Sequence, residues 1–127
     1  MSHVAKIDIE IRDLDALGAA CRRVEGELLR EQTHYSSYQQ GLTCDHAIRF
    51  AGCRYEVGVT RRAEGGYDLN WDDYAPGGLL ARLGPGAGKL VQAYGVEAAT
   101  RAARRQGYAV TETVQSDGAV LLHVRAS

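Results

Sequence analysis

What this chain lacks narrows its chemistry before any motif is weighed. It has no charge surplus of either sign: fifteen Lys and Arg stand against sixteen Asp and Glu, for a formal charge of -1. That balance leaves no global field to draw the protein onto nucleic acid or an anionic membrane, so partners must be recognised locally. No apolar run approaches the roughly 18 to 20 residues that a membrane span requires, and no charged-then-apolar leader opens the sequence. The three cysteines, Cys21, Cys44 and Cys53, are odd in number and form no CxxC pair. Such usage fits reduced thiols and a cytoplasmic location.

Incomplete motifs remove further classes. Gly84-Pro85-Gly86-Ala87-Gly88-Lys89 resembles a phosphate loop, but Leu83 stands where its first glycine belongs and Leu90 where the magnesium-binding hydroxyl belongs. A glycine-rich loop before a helix is the plainer reading. Asp68, Asn70 and Asp72 match the first three ligand positions of a calcium loop; Asp73 and Leu79 then fail at the glycine and glutamate positions. In an extended strand the carboxylates of Asp68 and Asp72 lie about 13 Å apart, at roughly 3.3 Å per residue, too far for an acid/base pair, so solvated strand acids are the plainer reading. Cys44, His46 and Cys53, with His34, supply four zinc-ligand types without a recurring zinc spacing. No Gly-x-Ser-x-Gly occurs, and the histidines, His3, His34, His46 and His123, are scattered. No cofactor or metal is expected. Arg101, Arg104 and Arg105 fall in the last turns of a helix, where cations offset the dipole, so nucleic-acid binding is not expected either.

What is present describes a scaffold. Tyr55, Val57 and Val59 alternate with Glu56, Gly58 and Thr60; after Glu64-Gly65-Gly66, Tyr67, Leu69 and Trp71 alternate with Asp68 and Asn70. Period-two alternation on both sides of a glycine turn predicts an antiparallel hairpin with one buried face. Before it, Ala5, Ile7, Ile9 and Ile11 alternate with charged residues as a half-buried strand. Asp13 then caps a helix carrying Leu14, Leu17, Cys21 and Val24, with Gly26 at its end. Residues 27–40 read as an irregular or edge strand, and His46 to Phe50 as a strand pairing with the one after it. A second helix is predicted from Lys89 to Gln106, and Tyr108, Val110 and Val114 pair with Val120, Leu122 and Val124 across Ser116-Asp117-Gly118. The expectation is one α+β domain over residues 1–127: a mainly antiparallel sheet, two helices on one face, order β-α-β-β-β-β-α-β-β. Its core would join Ile7, Ile9, Ile11, Leu17, Val57, Val59, Leu69, Val110, Leu122 and Val124.

Several short motifs occur in a telling order: Met1-Ser2-His3, Asp13 to Leu17, Cys44-Asp45-His46-Ala47-Ile48-Arg49, Tyr55-Glu56-Val57-Gly58, Gly66-Tyr67-Asp68-Leu69 before Trp71, Gln92-Ala93-Tyr94, Gln106-Gly107-Tyr108 and Asp117-Gly118. Over nearly its whole length the chain resembles the family known as domain of unknown function 1257, the chloroplast open reading frame 35 protein of algal plastids and cyanobacteria. The resemblance implies no catalytic residues. It implies an accessory or adaptor role beside an AAA-type ATPase and a small companion protein. The chain departs from that pattern where Trp71 is followed by Asp72 instead of a second tryptophan.

Two functional readings follow. In the first, a non-enzymatic module binds a protein partner, or a copy of itself, through the open sheet face that carries Glu56, Gly58, Thr60, Asp68 and Asn70, with Trp71 in a loop at its rim. In the second, a small enzyme or metal protein uses Cys44, His46, Cys53, Asp68 and Asp72. The lack of any complete catalytic or ligand motif favours the first.

Overall fold

The computed structural model describes residues 4–126. Met1, Ser2, His3 and Ser127 lie outside the described residues, including the first motif of the family resemblance. The fold is α+β. Five antiparallel strands, β1 (Val4–Lys6), β2 (Gly26–Arg30), β3 (His46–Phe50), β4 (Val57–Arg61) and β5 (Tyr67–Asp72), lie in the spatial order β1-β5-β4-β3-β2. Helices α1 (Leu14–Arg23) and α3 (Gly88–Arg105) stand where the sequence places them. A one-turn helix α2 (Leu79–Leu83) lies between two 3-10 turns. Strands β6 (Tyr108–Val114) and β7 (Val120–Ala126) form a separate two-stranded sheet.

Local chemistry explains most boundaries. The Asp13 carboxylate accepts hydrogen bonds from the N–H groups of Asp15 (2.9 Å) and Ala16 (3.1 Å), satisfying two of the orphan donors of α1. The far end of α1 corrects the expected glycine cap: Val24 is the C-cap, Glu25 takes the left-handed conformation at φ 61°, and Gly26 opens β2. Gly26 is needed there for space, because a Cβ would lie 2.5 Å from the Phe50 ring. The opening strand is shorter than its alternation suggests. It pairs with β5 only as far as Lys6, Ile7 donates to the Leu69 carbonyl (2.8 Å), and the chain rejoins the sheet at Ile11, whose carbonyl accepts from Tyr67 N–H (3.0 Å). The β4–β5 turn uses Gly65 and Gly66 at positive φ, and at Gly66 the Ile11 carbonyl comes within 2.6 Å of where a Cβ would sit. The Tyr94 hydroxyl on α3 accepts from the N–H groups of both Arg12 (2.9 Å) and Asp13 (3.2 Å), tying α3 to the start of α1.

Register sorts the sheet into two faces. Ile48, Val57, Val59, Leu69 and Trp71 join Leu17, Ala20 and Cys21 of α1, Leu79 and Leu83 of α2, and Leu90, Ala93 and Tyr94 of α3 in one buried cluster that also holds Ile7, Ile11 and Phe50. Cys21 thus lies in the buried stripe of α1, as its spacing implies. The expected core fails at its C-terminal end. Val110 and Leu122 are half-buried and Val124 is exposed, because β6 and β7 do not join the five-stranded sheet and lie instead against α3.

Candidate functional site

The second sheet face is the first candidate, and it is less open than alternation suggests. Ala47, Gly58, Asn70 and Lys6 stand in one cross-strand row, and Thr60 faces Asp68 in the next. Over the middle of this face lies the connection from β2 to β3, residues 31–45, closed on itself by Tyr35 N–H to Leu42 O (3.2 Å) and Cys44 N–H to Thr33 O (2.9 Å). Its Tyr35 ring is buried on Gly58, where a Cβ would come within 2.4 Å of the ring.

Two carboxylates fasten this cover. One Glu56 oxygen accepts from Ser36 N–H (3.0 Å), the Ser36 hydroxyl (3.2 Å) and the Gln32 amide (3.0 Å), while the other lies 3.6 Å from Arg49 Nε. Asp72 is fully buried and accepts from the N–H groups of Tyr38 (3.1 Å) and Tyr74 (3.0 Å). Hydrogen bonds to a charged acceptor are stronger than neutral ones, so these carboxylates fasten the connection and offset the cost of their own burial. Three expectations are therefore corrected. Glu56 is a buried clasp and not an outward-facing contact; Asp72 is not a solvated strand acid; and Trp71 is packed in the core at 4% exposure, not at a rim. Thr60, Asp68 and Asn70 are half-buried, and Asp68 is flanked by Lys6 Nζ at 3.5 Å and Arg62 Nε at 3.8 Å.

The second candidate, the cysteine and histidine set, does not assemble. Among the described residues, no group of three His, Cys, Asp or Glu side chains is placed to hold a metal ion. The Cys44 thiol donates to Gln32 O (3.1 Å), His46 Nδ1 accepts from Glu31 N–H (2.9 Å), and Cys53 lies against Gly78. Burial pushes the Cys44 thiol up to about 11 and Cys21 up to about 12, so neither is a ready thiolate. Burial also lowers the His46 pKa, and the bond at Nδ1 leaves its proton on Nε2, beside the Tyr67 ring at 5.8 Å between centroids.

The third candidate was hidden in the expected core. The β6–β7 hairpin exposes Val114 at 70%, Val124 at 50%, Leu121 at 48% and Tyr108 at 41%. Tyr108, Val110, Glu112 and Val114 share a face with Val120, Leu122 and Val124; Thr111, Thr113, Leu121, His123 and Arg125 take the other. One ionic link holds the hairpin to the helices: Arg23 of α1 grips both oxygens of Glu112 (2.9 and 2.5 Å) and reaches Glu97 of α3 with Nε (2.7 Å). These bonds raise the Arg23 pKa and lower that of Glu112. At the turn, the Gln92 amide donates to Gly118 O (3.0 Å). Beside these links a cleft of about 500 Å³ opens between hairpin and helices, with Val24, Val96 and Val120 on its walls and Lys89 and Asp117 at its edge.

The clasp residues escaped sequence reasoning because an acid in an alternating strand looks solvated. Gly58 was the available signal, since a glycine inside a strand often marks a close approach. For the hairpin, alternation correctly shows two strands but not which surface they cover. No family model, curated protein or solved structure matches the chain.

Proposed function

We propose that this protein is a non-enzymatic accessory or adaptor module that binds a protein partner, with the C-terminal hairpin as its binding element. The carrying observation is the exposure of Tyr108, Val114, Leu121 and Val124 on a two-stranded sheet that pairs with no other strand among the described residues. Exposed apolar side chains beside unpaired strand edges suit strand addition or docking of a complementary surface. The outer sheet face is a poorer candidate, because Tyr35 and its connection occupy the centre and Glu56 is spent on holding them. The family resemblance supplies the partner class: an AAA-type ATPase or its small companion protein, met in the cytoplasm.

Affinity capture from native lysate, read by quantitative mass spectrometry, tests this. A variant with Val114→Glu and Leu121→Glu should lose its enriched proteins by about tenfold or more. A second variant, Thr60→Lys with Asp68→Lys, should retain them. Equal capture by the hairpin variant, with its fold verified by circular dichroism, overturns the assignment.

A further inference from the structure

On the reading that the hairpin is the binding element, we infer that β6 also recognises a second copy of itself, joining two hairpins edge to edge as a four-stranded antiparallel sheet. Neither strand carries the usual edge protection of proline or lysine. The only charged side chain on β6, Glu112, is already gripped by Arg23.

The sequence of β6 selects the register. With a two-fold axis through Thr111, every residue of the strand finds a partner: Thr111 faces its own copy, Ala109 faces Thr113, Val110 faces Glu112, and Tyr108 faces Val114. Thr–Thr and aromatic–β-branched pairs are among the favourable cross-strand combinations, and no like charges meet. The pairing brings together the two most exposed apolar side chains of this strand, Tyr108 and Val114. The alternatives are worse. An axis through Glu112 sets two carboxylates opposite each other, and joining β7 to its copy about His123 opposes two imidazoles. Pairing β6 of one copy with β7 of the next is head-to-tail and leaves open ends that propagate instead of closing. A formal charge of -1 per chain puts no large repulsion between copies.

Sedimentation velocity on the full chain tests the register. The wild type should sediment as a concentration-dependent dimer. Thr111→Glu and Thr111→Lys, each placing like charges across the axis, should each be monomeric with an unchanged circular dichroism spectrum. Mixing the two variants should restore the dimer, because opposite charges then face each other at that position. A wild type that stays monomeric, a Thr111→Glu dimer, or a mixture that stays monomeric overturns the inference. If the wild type is monomeric and the Val114→Glu, Leu121→Glu variant still loses its lysate partners, self-pairing is wrong and the binding role of the hairpin stands. If those partners are retained as well, both readings fall.

Discussion

Replacing Gly58 with alanine should be costly at a position where strand propensity alone favours the change. The added Cβ would lie 2.4 Å from Tyr35 Cε1 and 2.5 Å from Cδ1, whereas ordinary contact begins near 3.4 Å, so the ring must retreat by about 1 Å. Lifting the ring off altogether would expose on the order of 150 Å². At about 25 cal/mol per Å², that sets a ceiling near 4 kcal/mol. Partial retreat with adjustment of β4 is cheaper, and overpacking of this kind typically costs about 1 to 3 kcal/mol. For a chain of this size the loss corresponds to a fall in Tm of roughly 4 to 15 °C. The Tyr35→Ala background separates steric conflict from any backbone effect. There, Gly58→Ala should be neutral or stabilising by up to about 1 kcal/mol, since glycine inside a strand carries an entropic penalty. Hydrogen exchange should report the same event locally, with faster exchange at the amides of Tyr35, Ser36 and Cys44 in the single variant. A Gly58→Ala protein that melts with the wild type, or one that loses equal stability with and without the Tyr35 ring, would refute the covering of this face.

Two further outcomes follow from the core and from His46. Leu69→Ala should cost about 2 to 4 kcal/mol and Val57→Ala less, both side chains being fully buried; unchanged thermal midpoints in both variants would remove them from the core. Burial holds the folded-state pKa of His46 below its unfolded value near 6.5. Its contribution is therefore complete above that pH and is lost as pH falls through the folded pKa. The urea midpoint of the wild type should drop between about pH 7.5 and about pH 5 by more than that of His46→Gln, whose amide oxygen can still accept from Glu31 N–H; parallel pH profiles would refute it.

The contrast between the two hairpins locates the limit of the sequence. For β4–β5 the pattern sufficed, because alternation and Gly65-Gly66 are local signals and Val57, Val59 and Leu69 have only one place to go, beneath the helices. The Asp13 cap was legible for the same reason: its partners lie two and three residues away. β6–β7 has equally clear alternation, yet whether it extends the sheet or lies outside α3 depends on which surfaces earlier strands have filled. Clasping by Glu56 and Asp72 is non-local in the same way. Each acid is 20 or more residues from the Ser36 and Tyr38 amides it receives, and apart from Gly58 beside Glu56 no neighbour distinguishes it from Asp68, which lies beside Lys6 and Arg62. The family resemblance could not fill that gap, since it implies a role and assigns no residues to it.

The double acceptor at Tyr94 bears on the order in which the molecule assembles. Strands β2 to β5 are consecutive neighbours in the sheet, so each can pair as soon as the next is made. β1 cannot, because its partner strand begins at Tyr67, and the start of α1 is pinned only when a hydroxyl 81 and 82 residues downstream arrives at Asp13 and Arg12. The N-terminal segment of the fold, made before all of its partners, is thus among the last to be secured, and until α3 exists Ile7, Ile11 and Leu17 have no complete burial site. Chains interrupted before Tyr67 would therefore display an unpaired N-terminal strand with Ile7 and Ile11 uncovered, the kind of species that aggregates or draws chaperones.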